Sequence, residues 1–505
     1  MRRLPNALYR AEEVRELDRI AIEDFNIPGA TLMTNAGQAA FDALREKWPR
    51  LRRMAVLVGT GNNGGDGFVV ARLAKAAGYE VRLWQVGDST RLKGDALTMA
   101  TQWQESGGSI EPFVEGLDLG GSEVVIDGLL GTGLNSEVTG DWADAIRAIN
   151  ESHARVLALD IPSGLDANTG SVLGVAVHAH LTVTFIGMKQ GLLTGKGPAY
   201  VGQLAYADCR VPPDVLMQIK PTCSRLGFAA LGHLLGPRPR DMHKGECGHV
   251  LVIGGDTGMT GAVRLAAEAA ARVGAGLVSV ATRAVHAATI SAACPEIMAH
   301  PVEEVAELRP LLAKATVVVI GPGLGQSAWA QQMLSAVIEQ DRPLVVDADA
   351  LNLLAIEPVQ REQWILTPHP GEAARLLETD TATIQADRFA AVTALQTRFG
   401  GTVVLKGAGS LVASADMALG LCSDGNPGMA SGGMGDVLSG VIAGLLAQRK
   451  TDNLHGQAQA LATRLGVCVH ARAADIAAHE GGERGLMASD VIAMLREVVN
   501  PAQFS

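Results

Sequence analysis

The chain has 505 residues, a formal net charge of −11 and no long Lys/Arg run, which argues against a nucleic-acid partner. Hydrophobic residues make up 48 % and aromatics only 4 %, so a large core must be built mostly from Ala, Val, Leu and Ile. The opening MRRLPNALYRAEEV lacks the apolar stretch of a secretory leader, and no apolar run approaches the ~20 residues that span a bilayer. The six cysteines are scattered without a CxxC or a metal-ligand spacing, so a reducing, cytoplasmic setting without membrane contact is expected.

Along the first half, apolar runs alternate with helical patterns. The runs are MAVLV (54–58), VRLWQV (81–86), EVVI (123–126), RVLAL (155–159) and LTVTF (181–185). Helices are expected at 67–77, 91–106 and 141–151. Continuous apolar strands separated by helices predict a parallel sheet covered on both faces. In such sheets ligands bind beyond the carboxyl ends of the strands, so those ends carry the functional candidates.

The first strand runs into GTGNNGGDG (59–67), which reads G-x-G-x-x-G between a strand and a helix, the spacing of a dinucleotide-binding loop. Asp88 lies where such a loop's ribose-binding acid belongs. Asp66, however, stands where a pyrophosphate's charge should go. Taken alone, Asp66 is equally consistent with capping the helix expected from 67. Asp127 and Asp160 (in LALDIPSGLD) mark two further strand ends, and Lys189 follows the fifth. Three carboxylates with the Asn62–Asn63 pair offer hard oxygen donors for a cation and a general base, and a poor nest for a bare pyrophosphate.

Between 208 and 245 the chain turns rich in proline and charge, which reads as a domain junction. The alternation then resumes with HVLVI (249–253), GLVSVA (276–281), TVVVI (316–320), PLVV (343–346), WIL (364–366) and TVVL (402–405). NPGMASGGMGDVLSG (426–440) is a Gly-rich loop entering an apolar helix, whose backbone N–H groups can form an anion hole. Asp436 sits at that entry, placed to take a proton from an attacking hydroxyl. Lys406 ends a strand and can meet a nucleotide phosphate, while two prolines stiffen His369 in TPHPGE. No segment matches G-x-x-x-x-G-K-[ST], which excludes a Walker-type NTPase.

These motifs, with GLLGTG, HKGECGHVLVIGG, GPGLG, DADALN and LKGAGS, follow an order and spacing that resembles the bifunctional NAD(P)H-hydrate repair enzymes over nearly the whole chain. The resemblance implies two three-layer αβα domains: a Rossmann-like NAD(P)H-hydrate epimerase at 1–215 and a ribokinase-like, ADP-dependent (S)-NAD(P)H-hydrate dehydratase at 225–505. It implies that Asn62, Asn63, Gly64, Gly65 and Asp66 contact hydrated NADH or NADPH, together with Asp160 and the segment headed by Gly131, Thr132 and Gly133. It gives Asn63, Asp127 and Ser163 to K⁺. In the second half it gives Ala262, Gly325, His369 and Asp436 to the hydrate, and Lys406, Gly407, Ala408, Gly409, Ser410 and Gly435 to ADP, which acts with Mg²⁺. Asp160 and Asp436 become the catalytic candidates, and a homo-oligomer is expected. A competing reading is a ribokinase-like vitamin-precursor kinase fused to a Rossmann-like nucleotide-binding domain, with Glu372 orienting Mg²⁺. A third makes the first half a dehydrogenase.

Overall fold

The computed structural model describes residues 4–449 and 456–500. They divide into two compact units, Met1–Ser224 and Arg225–Ser505. In the first unit a parallel sheet is formed by β1 (Arg53–Val58), β2 (Glu80–Gln85), β3 (Glu111–Pro112), β4 (Val124–Gly128), β5 (Arg155–Leu159), β6 (Leu181–Phe185) and β7 (Gln203–Ala207). Their order is β3-β2-β1-β4-β5-β6-β7. The order reverses between β1 and β4, and a crevice opens there beyond the strand ends.

The apolar run of β1 is continuous because both of its faces are covered. Met54, Val56 and Val58 join a core with Phe41 of helix Gly29–Lys47 and Val70 of helix Asn62–Ala76. Ala55 and Leu57 point the other way, into a core with Ile146 and Ile149 of helix Gly140–Glu151.

One helix departs from its expected start. It begins at Asn62 rather than 67, inside the glycine run, with Gly61 as N-cap. Asp66 is therefore not the helix cap; it lies a turn inside the helix. Glycine read as a helix breaker hides this, whereas here it permits close packing. A Cβ on Gly64 would overlap the Gly59 carbonyl oxygen, and one on Gly65 would overlap the Met33 sulfur. The helix expected at 91–106 is a 3₁₀ turn, Ser89–Arg91, followed by helix Gly94–Glu105.

In the second unit β8 (His249–Ile253), β9 (Leu277–Thr282), β10 (Met298–Pro301), β11 (Val317–Ile320), β12 (Leu344–Val346), β13 (Trp364–Leu366) and β14 (Thr402–Leu405) run parallel. Two antiparallel strands, β15 (Ser410–Ser414) and β16 (Met417–Cys422), extend that edge. The order is β10-β9-β8-β11-β12-β13-β14-β15-β16. Val250, Val319, Val345 and Ile365 line one face against Ala266 of helix Thr260–Arg272 and Ile442 of helix Met434–Ala447. A further layer packs Val441 on Leu465 of helix Gln457–Gly481 and Val491 of helix Ala488–Val498. The 208–245 stretch, read as a plain junction, contains helices Pro213–Leu216 and Phe228–Leu231 and strand Cys223–Leu226. All six cysteines are free thiols. Among the described residues no helix is long and apolar enough to cross a membrane.

Candidate active sites at two sets of strand ends

In the first unit a cavity of about 530 Å³ opens at the β1/β4 reversal. Asn62, Asn63, Asp66, Gly131, Thr132, Gly133 and Asp160 line it. Gly64 and Gly65 do not; they serve the packing of the helix start instead. Asp18 from helix Ala11–Arg19 and Lys189 after β6 also line the cavity.

Asp160 follows β5 with φ of +62°, a left-handed conformation that a non-glycine residue rarely holds without surrounding constraint. The constraint is visible. Its N–H donates to the Val183 carbonyl at 2.8 Å, and its Oδ1 accepts the Phe185 N–H at 3.0 Å and the Lys189 ammonium. Lys189 is fully buried and also donates to the Phe185 carbonyl at 2.9 Å and the Thr184 hydroxyl at 3.2 Å.

Around this ion pair the other carboxyls are pushed toward the protonated form. Burial, with repulsion from Asp160 and Asp18, holds Asp66 well above the ordinary carboxylate range. Burial raises Asp18 to about 6, against the pull of Lys189. The Lys189 side chain thus meets three carboxyl groups in one cavity, and the two that it does not bind directly, Asp66 and Asp18, are the ones pushed toward the protonated form. Asp18 was invisible to strand-end reasoning because it comes from an N-terminal helix. The acidic turn of AEEVRELDR gives no sign of what it faces.

Asn63, Asp127 and Ser163 converge behind the cavity wall. Asn63 donates through Nδ2 to the Leu130 carbonyl at 3.0 Å, and Ser163 Oγ accepts the Leu130 N–H at 2.8 Å. The Ser163 hydroxyl donates to Asp127 Oδ1 at 2.6 Å, and its backbone N–H to Oδ2 at 2.8 Å. Asn63 Oδ1 is buried without a hydrogen-bond partner. Burial lifts the Asp127 carboxyl to about 6, and no basic side chain offsets it. An orphaned amide oxygen beside a buried carboxylate, all hard oxygen donors, fits a cation held without tight geometry.

In the second unit Lys406, at the end of β14, donates to Asp347 Oδ1 at 2.7 Å and lies 3.8 Å from Glu372. The other Asp347 oxygen accepts the Ser439 hydroxyl at 2.6 Å. Burial alone would raise Asp347, but the Lys406 charge and these bonds outweigh it and hold it ionised below its ordinary range. Gly435 packs against this pair: a Cβ there would stand 3.2 Å from Lys406 Nζ.

Asp436 has no such partner. Burial, then repulsion from Asp347, raises its carboxyl to about 7 despite Lys406. It lies in the first turn of helix Met434–Ala447, whose N-cap Gly433 is left-handed at φ +88°. Gly323 lies against Ala262, 3.2 Å from a Cβ placed on the glycine, and the Gly325 N–H donates to Asp349 at 2.8 Å. Ala262, Gly325 and Asp436 thus come from loops and helices at one end of the sheet.

His369 differs from a freely presented ligand. Its Nδ1 accepts the Gly371 N–H at 2.9 Å and the Glu372 N–H at 3.3 Å, while Glu372 accepts the His369 N–H at 2.7 Å. This reciprocal cap of helix Pro370–Leu376 commits Nδ1, and Nε2 lies 3.3 Å from Glu372 Oε1, so the ring is held at both nitrogens. Burial and the nearby Lys406 charge lower its pKa, so the ring is neutral. The 406–410 loop is shaped from below by buried Arg388, which donates to the carbonyls of Leu405, Lys406 and Gly409. Nothing in the sequence around Arg388 signals this, because the partners are backbone carbonyls.

Among the described residues no three His, Cys, Asp or Glu side chains converge as a metal site. Mg²⁺ fits this end of the sheet only as an ion carried on phosphates and met by one or two carboxylates.

The comparisons match both units. The family described as YjeF-related protein N-terminus matches residues 29–191, and the one described as NAD(P)H-hydrate dehydratase matches residues 250–496. The bifunctional NAD(P)H-hydrate repair enzyme of Coxiella burnetii is 51 % identical over 98 % of this chain and 99 % of its own length. The chain belongs to the bifunctional NAD(P)H-hydrate repair enzyme family. The Escherichia coli member is 43 % identical over 99 % of this chain and 95 % of its own. A solved ribokinase-like superfamily protein from Enterococcus faecalis is similar at 30 % identity and a TM-score of 0.50. It covers 56 % of this chain and 96 % of that one.

Membership over the full length sets aside the kinase-fusion and dehydrogenase readings. The geometry agrees for the second of these: Asp88 accepts from the Thr90 N–H at 2.9 Å and the Thr90 hydroxyl at 2.7 Å, capping a turn. Repair enzymes of this family thus combine a Rossmann-like first half with a ribokinase-like second half, and this chain has both.

Proposed function

We propose that the chain returns hydrated NADH and NADPH to the reduced cofactors in two steps. Residues 1–215 interconvert the C6 epimers, and residues 225–505 dehydrate the (S) epimer at the expense of ADP. The observation that carries this reading is Asp436, a carboxyl poised near neutral pH beside the Lys406–Asp347 pair at the mouth of a Gly-rich helix start.

In the hydrate, C6 carries a hydroxyl next to the ring nitrogen. Epimerisation requires a reversible C–O cleavage at that carbon, with a proton delivered and recovered. Asp160 serves as the acid/base, and Lys189 fixes its orientation. Asp66 and Asp18, both shifted toward the protonated form, line the same cavity. The potassium site is assigned to Asn63, Asp127 and Ser163, where a bound cation would supply positive charge behind the Gly131–Gly133 wall.

Dehydration must expel hydroxide, a poor leaving group. Transfer of the terminal phosphoryl of ADP to the C6 hydroxyl forms a P–O bond and releases AMP. Phosphate then departs as the ring nitrogen's lone pair pushes, and loss of the C5 proton restores the dihydropyridine. Asp436 takes the hydroxyl proton, and the N–H groups at 432–435 receive the charge of the moving phosphoryl. Lys406 and the 406–410 loop hold the nucleotide, while Ala262, Gly325 and the His369 ring face the hydrate, with Glu372 orienting that ring through Nε2. Mg²⁺ carried by ADP would neutralise phosphate charge beside the Asp347–Asp349 strand end. The same reading makes the chain a cytoplasmic homo-oligomer, which light scattering of the purified protein tests.

The test of the whole reading is direct. The protein is mixed with hydrated NADH, ADP and Mg²⁺, and the near-ultraviolet absorbance of NADH is followed. Return of that absorbance only when ADP is present supports the reading. No return at any protein concentration sinks it.

A further inference from the structure

A second cavity, of about 850 Å³, lies in the second unit between helices Thr260–Arg272, Met434–Ala447 and Ala488–Val498. None of the active-site residues described above lines it. Four arginines do: Arg238, Arg272, Arg449 and Arg496. Among the described residues no Asp or Glu lines it, in a chain whose net charge is −11. No described carboxylate forms an ion pair with any of the four.

The plain explanation is that these arginines neutralise helix ends. Arg272 and Arg496 stand in the last turns of their helices, and Arg449 lies just past the end of another. Three helix C-termini contribute roughly half a negative charge each. Four guanidinium groups exceed that by about two and a half charges, so the described lining leaves an electropositive cavity.

Its geometry is also built rather than incidental. Arg238 donates to the Gly274 carbonyl and to Gln448 Oε1, both at 2.6 Å. Gln448 in turn donates to the carbonyls of Val273 at 2.9 Å and Gly444 at 2.7 Å. Gly274, at φ +110°, leaves the room that the guanidinium of Arg238 fills. Apolar side chains of Leu234, Leu235 and Met242 form part of the wall. The volume suits one metabolite, and guanidinium forks suit phosphate oxygens.

We infer that this cavity is a second anion site, which takes a nucleoside polyphosphate with its phosphates among the arginines and its base against the apolar wall. The inference does not depend on the repair reaction.

The test uses the full chain and calorimetric titration with ADP and with inorganic tripolyphosphate, at low and at raised salt. The expected result is two ADP sites per chain. One of them weakens with salt, is competed by tripolyphosphate, and loses affinity at least tenfold in the double variant Arg272→Gln/Arg496→Gln. The other site and the dehydration rate at saturating substrate stay unchanged. Arg449→Glu is the second variant, should the double variant fold poorly, and it must weaken the same site. A single ADP site in the unaltered chain overturns the inference, as does a salt-sensitive site that survives both variants. So does a variant that changes assembly state with no loss of binding, since the cavity then faces another copy of the chain.

Discussion

Asp436, half-buried, and Asp66, buried, both have raised carboxyl pKa values, yet they predict opposite things. Asp436 must be ionised to accept a proton, and its carboxyl sits at about 7. The dehydration rate is therefore expected to fall as pH drops below about 7, approaching tenfold per unit, in a profile taken at saturating ADP. Asp436→Asn should lower dehydration by about 10²–10⁴-fold, the usual worth of a general base, and leave epimerisation intact. A variant with an unchanged rate would remove Asp436 from the mechanism. Asp66 is a matter of stability. Its carboxyl lies well above its ordinary 3.8 in the folded chain, so the folded state binds that proton more tightly than the unfolded state does. Stability is then lost as pH rises from 3.8 toward the raised folded value. Asp66→Asn removes that penalty. It should raise the melting temperature of the first unit at pH 8, by about 2–4 °C for each kcal/mol recovered, and change it little at pH 4. An equal shift at both pH values would show that the effect is not ionisation.

At the scale of the element, the strand ends were legible because a strand buried on both faces must be apolar throughout, and that pattern stops abruptly. RVLAL, LTVTF, HVLVI, WIL and TVVL match the observed strands residue for residue. The residues just beyond them, Asp160, Lys189, Lys406 and the 367–372 segment, could then be placed at the sites. What escaped was whatever arrives from elsewhere in the fold. Asp18 and Arg388 reach the sites from helices whose sequences are ordinary surface and core patterns. The glycine run 59–67 misled in another way, because its last residues are helix. Gly64 is there for closeness, since any side chain would overlap the Gly59 carbonyl. Gly64→Ala should cost about 1–3 kcal/mol, as overpacking does. The expected outcome is an earlier melting transition and a loss of epimerase activity with dehydration preserved. Retention of epimerisation with unchanged melting would mean that the junction tolerates the methyl.

For the molecule as a whole, two catalytic ends on one chain matter because the dehydratase accepts one epimer and hydration yields both. The arrangement predicts how two dead variants differ and how they combine. A chain with Asp160→Asn keeps the Asp436 machinery, so with mixed hydrates and ADP it should regain NADH absorbance quickly up to the (S) fraction and then stall. A chain with Asp436→Asn should regain none, although it equilibrates the epimers. Mixed together, the two variants should run to completion, because the hydrate that one site releases is a substrate the other can bind from solution. The rate of the slow phase should rise in proportion to the Asp436→Asn chain added. If the Asp160→Asn chain runs to completion unaided at the normal rate, Asp160 is not the epimerase acid/base. If the mixture stalls as the single variant does, the hydrate is not exchanging between chains, and the fusion would be handing substrate directly from one site to the other.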